Sequence, residues 1–115
     1  MRVTDVERLK KQVRKMAAGR VLAGEPADVS LNLGRLHGCR ACIQAGYRQL
    51  SKEPQVMARD RLIWVLDGYV DVHETHGRVT TVSQGESVVL AGGSAYRLVF
   101  PQLALYLSLE AEDGA

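Results

Sequence analysis

The sequence predicts a mainly β domain, a barrel or sandwich of short strands, with one α-helix in front of it. Three observations carry that reading. The apolar period changes from helical to two near residue 28, and turn signals recur between the later apolar runs. The 115 residues, 46% hydrophobic and 24% charged, also make one ordinary globular domain. At that length a core can stand without a disulfide or a structural metal.

The helix comes first. Thr4 and Glu7 have capping-box spacing, Val6, Leu9, Val13 and Met16 recur at three and four residues, and Gly19 is placed to end it. Arg8, Lys10, Lys11, Arg14 and Lys15 cover the remaining faces, so residues 4–18 read as a basic amphipathic helix of about four turns. Residues 1–20 carry seven Lys or Arg against two acids, which leaves residues 21–115 at −3 in a chain of net charge +2. The basicity belongs to the helix. Such a helix docks on a partner's groove, on an anionic membrane surface, or on its own barrel, with Val6, Leu9, Val13 and Met16 against apolar sheet. Nucleic acid is not an expected partner, because the segment lacks aromatic stacking residues and the rest of the chain is acidic. Gly24-Glu25-Pro26 is a connector. The division is therefore residues 1–27, helix and connector, and residues 28–115, the β-domain.

Strands follow. Val29, Leu31 and Leu33 alternate with polar neighbours, and further strands are expected over 39–50, 61–66, 69–74, 78–83, 87–91, 96–100 and 102–109. Asp67-Gly68, His76-Gly77, Gln84-Gly85 and Gly92-Gly93 divide them, and Asp-Gly between alternating apolar runs is a strong hairpin signal. In the last strand Leu103, Leu105, Leu107 and Leu109 face one way and Ala104, Tyr106 and Ser108 the other; the Leu row is the expected core. On the outward side of residues 62–66, Leu62, Trp64 and Leu66 make an apolar patch in want of cover. Composition does not choose between sandwich and barrel.

No apolar run reaches signal-peptide or membrane-span length, so a cytoplasmic protein with no membrane span is expected. Two cysteines are too few for a secreted disulfide framework. Cys39 and Cys42, with His37 before them, have the CxxC spacing that suggests zinc or redox chemistry. Yet Cys39, Ala41, Ile43, Ala45 and Tyr47 read as a strand, in which residues three apart face opposite ways. Free thiols are the expectation, with His37, Cys39 and Cys42 as the alternative metal set. His73 and His76 fall at a strand end and a hairpin tip, solvated and titrating near neutral pH. No serine sits in a nucleophile elbow, and no phosphate-binding loop is present.

Residues 61–109 resemble the cupins, whose second motif runs Gly, five residues, Pro, one residue, Gly, two residues, His, three residues, Asn. The same frame here has Gly85, Ala91, Gly93, Tyr96 and Phe100: both glycines fit, and Pro, His and Asn do not. The first cupin motif ends in a Glu seven residues before a Gly, and Arg61 to Gly68 looks like that ending with Arg61 in the Glu place. The motif's two metal-binding His should fall near residues 54–57, where there is none. The resemblance implies a single small double-stranded β-helix, or jelly-roll barrel, without the family's metal and with no cofactor. Within the family the chain is most similar to the cupin domain of the ethanolamine-utilisation Q proteins. Those belong to bacterial microcompartment operons, and an acetate kinase activity is attributed to them.

In that frame Arg61 and Tyr96 occupy two positions that normally converge on a metal, and Ile63, Val65, Leu98 and Phe100 share their inward face. A guanidinium there can hold a carboxylate or phosphate bidentately, with a Tyr hydroxyl as a third donor. Arg61, Tyr96 and Tyr47 are the expected ligand-binding residues of a small-anion pocket. The alternative pairs Arg61 with Asp60 or Glu53 at the barrel mouth and leaves Tyr96 as packing. Two functions follow: a binding or assembly protein, expected as a homodimer and with the helix as a microcompartment-directing peptide, or a metal-independent enzyme acting on a small carboxylate or phosphate. The second needs an inward acid–base pair, of which only Tyr96 is visible.

Overall fold

A computed structural model describes residues 3–36, 38–49 and 52–112. The chain is mainly β. One helix, α1 (Val6–Leu22), precedes strands β1 (Ala27–Leu36), β2 (Cys39–Gln49), β3 (Gln55–Val56), β4 (Arg61–Asp67), β5 (Tyr69–Glu74), β6 (Val79–Ser83), β7 (Ser87–Leu90) and β8 (Ala95–Ala111). Every strand pairing is antiparallel. Among the described residues no helix is long and apolar enough to cross a membrane.

Helix α1 differs from its sequence pattern in three respects. Asp5, not Thr4, is the N-cap: its side chain accepts from Arg8 N at 3.2 Å, satisfying one orphan donor of the first turn. The helix runs through Gly19 and stops at Gly24, whose φ of 71° lets Glu25 N reach Arg20 O and Gly24 N reach Val21 O. That double bond pattern is a Schellman stop, and a left-handed residue is what it requires. The buried stripe is Leu9, Val13, Ala17 and Val21, four residues apart, with Val13 and Ala17 at 0% exposure. Val6 and Met16, expected on that stripe, are 44% and 47% exposed. The helix lies on the outer face of β1 and β2, where Ala27, Ile43, Ala45 and Leu105 are buried under it. Lys10 Nζ lies 3.2 Å from Asp67 Oδ2 at the end of β4, and Arg14 pairs with the same carboxylate.

β8 organises the sheet. Its first part pairs with β3 and β5, its second with β4, and β2 spans both. Between them the register with β2 slips, Gly46 facing Ala104 while Arg48 faces Phe100, so four residues of β8 match two of β2. The bulge bends the strand around exposed Pro101 and turns the sheet on itself. The two expected strands 96–100 and 102–109 are thus one. β3 was not expected at all.

Asp67-Gly68 is not a hairpin turn, because β4 and β5 do not pair with each other; both pair with β8. It is a corner. Gly68 has φ 81°, and a Cβ there would sit 3.0 Å from Leu103 O, so the turn presses on the bend of β8. His76-Gly77 does close the β5–β6 hairpin.

Two cores result. The interior one holds Ile63, Val65, Val70, Val72, Phe100 and Tyr106, and the outer one lies beneath α1. The Leu row of β8 therefore does not form the interior. Leu105 is buried under the helix, Leu103 and Leu107 are half-buried and Leu109 is 38% exposed, while Ala104, Tyr106 and Ser108 face inward and are buried. Of the expected outer patch, Leu66 is covered by the helix, Leu62 is half-buried and Trp64 is 46% exposed.

Candidate functional site in the barrel interior

Residues directly opposite in an antiparallel sheet share a face, so the register names what lines the barrel. One row runs Ser30, Gln44, Tyr106, Val65; the next Asn32, Cys42, Ser108, Ile63; the next Arg40, Glu110, Arg61, Leu90. Each row begins polar on β1 or β2 and ends apolar on β4 or β7. The alternation of β1 is inverted from the usual sense: Val29, Leu31 and Leu33 point out to the helix, and Asp28, Ser30 and Asn32 share the inner face.

Arg61 stands where the polar and apolar halves meet, and it is half-buried. Its Nε donates to Ser108 Oγ at 2.8 Å and its Nη2 to Gln44 Oε1 at 2.8 Å. Both partners are neutral, and the carboxylate opposite in register, Glu110, is 3.4 Å from Arg40 Nη2. The guanidinium also lies 6.0 Å from the centre of the Tyr106 ring, and Phe100 stacks on that ring at 5.3 Å and 13°. Burial pushes the Tyr106 phenol up to about 12, against the opposing pull of Arg61. At neutral pH it is a protonated donor.

Two cavities flank this arginine. The first, about 300 Å³, is lined by Asp28, Gln44, Gln55, Met57, Arg61, Tyr96, Arg97, Leu98, Phe100 and Tyr106. The second, about 290 Å³, lies between Arg61, Gln44 and Ser108 and the inner faces of β1 and β2. Both are at the small end of ligand-site volumes. Arg97 adds a second guanidinium to the lining of the first, and its Nη2 lies 3.4 Å from Nδ1 of His73, its register partner.

The sequence-derived site residues fall as follows. Arg61 and Tyr96 line the same cavity. Arg61 turns inward to Ser108 and Gln44, whereas Asp60 Oδ1 accepts from Gly92 N at 2.7 Å. Tyr96 is neither free-standing packing nor fully solvated: its Oη accepts from Ala91 N at 3.2 Å. Tyr47 is not with them. It packs against the outer core beneath α1, with the Arg48 guanidinium 5.5 Å from its ring centre. Strand alternation is the reason, because Tyr47 shares the face of Ala45 and Ile43. His37 lies outside the described residues; Cys39 and Cys42 are free, half-buried and on opposite faces of β2. Gln44, Ser108, Asp28, Gln55 and Met57 were not singled out, and the polar alternation of β1 and β2 was the available signal.

The residues present do not fit a divalent metal of the kind the resemblance would imply. A guanidinium stands in the carboxylate place and offers no lone pair, and a phenol, Tyr96, stands in the imidazole place. Among the described residues no three of His, Cys, Asp and Glu group as ligands.

No protein-family model matches the sequence, and no curated protein matches it significantly. Solved structures do. The EutQ protein of Clostridium difficile is 17% identical, with a TM-score of 0.66 over 78% of this chain and 71% of that one. A cupin-2 domain protein of Shewanella frigidimarina is 12% identical, TM-score 0.67, over 73% and 80%. A cupin superfamily protein of Desulfitobacterium hafniense is 10% identical, TM-score 0.64, over 76% and 79%.

Proposed function

From a chain of cupin fold whose interior carries a guanidinium in place of a metal ligand, we propose a metal-free binding or assembly protein that holds a small anion on Arg61. One observation carries it. A half-buried cation faces a cavity of about 300 Å³ while its hydrogen bonds, among the described residues, go to the neutral Ser108 and Gln44, and Asp28 is the one carboxylate among the described residues lining that cavity. Tyr96 and the protonated Tyr106 supply further polar groups, and Met57, Leu98 and Phe100 an apolar wall. Titration calorimetry with acetate, propionate and inorganic phosphate, on the parent and Arg61→Ala, tests it. Binding lost in a folded variant supports the reading, and equal binding by both refutes it. Elemental analysis of the untagged protein for Zn, Fe, Mn, Ni and Cu checks the metal-free part.

The likeness to EutQ supports an ethanolamine-utilisation or microcompartment setting. Because α1 commits Val13 and Ala17 to its own barrel, assembly in this reading uses the sheet instead of a free helix. Val89, Leu62 and Leu109 form one cross-strand row, beside Trp64 and Leu107 in the next, on the outer surface of β7, β4 and β8. Val89 is 61% and Trp64 46% exposed. A second copy of the chain is the occupant proposed for this apolar face. Sedimentation of Trp64→Glu reads it: a monomer is the expected result, and an unchanged size sinks the idea.

A metal-independent enzyme of the same interior is the second reading, favoured by the Tyr106 phenol beside Arg61. With its pKa pushed up to about 12 the phenol serves as a proton donor and not as a base, so it fills half of an acid–base pair.

A further inference from the structure

The second cavity differs in kind from the first. Apart from Cys42 every side chain on it is polar, among them Ser30, Asn32, Ser108 and Glu110, and no aliphatic or aromatic residue lines it. Arg61 and Gln44 belong to both cavities, so their 2.8 Å bond is the partition between them. The guanidinium is held from the polar side, because Ser108, which accepts from Nε, lines only the second cavity. Internal bonds there consume oxygens: Gln44 Oε1 accepts from Arg61, and Asn32 Oδ1 accepts from Gly34 N at 2.9 Å. The two amide NH₂ groups and the Ser30 hydroxyl are left as donors. Glu110, beside Arg40, adds an acceptor.

An open pocket of about 290 Å³ with such walls, Ser30 and Asn32 exposed at its rim, suits neither an alkyl chain nor an aromatic ring, since apolar atoms there would strip its polar groups of water without replacing the bonds. We propose that this second chamber is a hydroxyl-binding subsite, and that the anion on Arg61 is a polyhydroxylated carboxylate, its acid group on the guanidinium and its hydroxyls against Ser30, Asn32 and Gln44. The proposal rests on the reading of Arg61 as an anion site and names its ligand class.

The test compares gluconate with hexanoate, acids of equal chain length and charge, by calorimetry on the parent protein, Ser30→Val, Asn32→Leu and Arg61→Ala. Gluconate is expected to bind the parent about ten-fold or more tighter than hexanoate, as one or two extra hydrogen bonds allow. Ser30→Val should weaken gluconate several-fold and leave hexanoate unchanged. Asn32→Leu repeats the comparison should one variant fail to fold, and Arg61→Ala should weaken both acids. Hexanoate equalling gluconate on the parent, or gluconate unaffected by both chamber variants, overturns the subsite while leaving Arg61 as an anion site. Neither acid binding the parent overturns both.

Discussion

Gly46 is the tightest point in the barrel wall, and replacing it with Ala has a calculable effect. A Cβ on Gly46 would lie 2.8, 2.8 and 2.9 Å from three carbons of the Phe100 ring. Comfortable carbon–carbon contact is about 3.5 to 4.0 Å, so the ring must retreat by roughly 0.7 Å or more. Phe100 is at 0% exposure and stacked on Tyr106, so nothing behind it yields cheaply. Gly46 lies outside the left-handed region, which leaves steric overpacking as the cost, about 1–3 kcal/mol. With an unfolding entropy near 2.1 cal/mol/K per residue, 115 residues convert that to a Tm lower by about 4–12 °C. Thermal unfolding followed by circular dichroism measures it. Because the contact is with one ring, Gly46→Ala and Phe100→Leu together should be less destabilising than the sum of the two by about 1 kcal/mol or more. A Gly46→Ala protein melting with the parent, or strictly additive costs, would refute the reasoning. The same displacement reaches the ligand site, since Phe100 supports Tyr106 and Tyr106 lies beneath Arg61.

Val13→Ala, at a fully buried position under α1, should cost about 2 kcal/mol by chemical denaturation, whereas Val6→Ala, at 44% exposure, should fall within about 0.5 kcal/mol; the reverse order would mean that the helix packs on another face. For Tyr106 the folded pKa of about 12 stands above the ordinary 10.0, so the unfolded chain gives up its proton first. The stability tied to this phenol, roughly 3 kcal/mol, is fully present below pH 10 and is lost as pH rises from 10 to about 12. Tyr106→Phe should lose less stability than the parent across that window, and identical pH profiles would show that the phenol does not titrate in this way.

Much of the fold was legible because most of the glycine turns and the period of two kept their meaning in the folded chain. Arg61 and Tyr96 line one cavity, where the motif frame of the resemblance had put them, and alternation added only which residues share their face. Alternation does not say which face is inside. On β1 and β2 the helix claims the apolar side, so Asp28, Ser30, Asn32 and Gln44 lie on the inner face, the first three of them still exposed to solvent and Gln44 half-buried. That inversion also misplaced the Leu row of β8 and Tyr47. The helix stripe failed on Ala17: the patterns 6, 9, 13, 16 and 9, 13, 17, 21 both fit a helical period, and an alanine adds little apolar signal to the second. Asp67-Gly68 carried hairpin chemistry at a corner, where Gly68 serves close contact with the bend of β8.

β8 has a temporal meaning as well as a spatial one. It is the last of the described strands to be synthesised, and β2, β3, β4 and β5 all wait for it as their partner. Until residues 95–111 emerge, only the β1–β2, β5–β6 and β4–β7 pairings and the docking of α1 on β1 and β2 are available. Up to that point the β-domain is a set of separate hairpin-like pieces with open edges, exposed to wrong pairing. Closure of the barrel, and with it the bond of Arg61 to Ser108, depends on contacts of long sequence separation, the kind that form slowly.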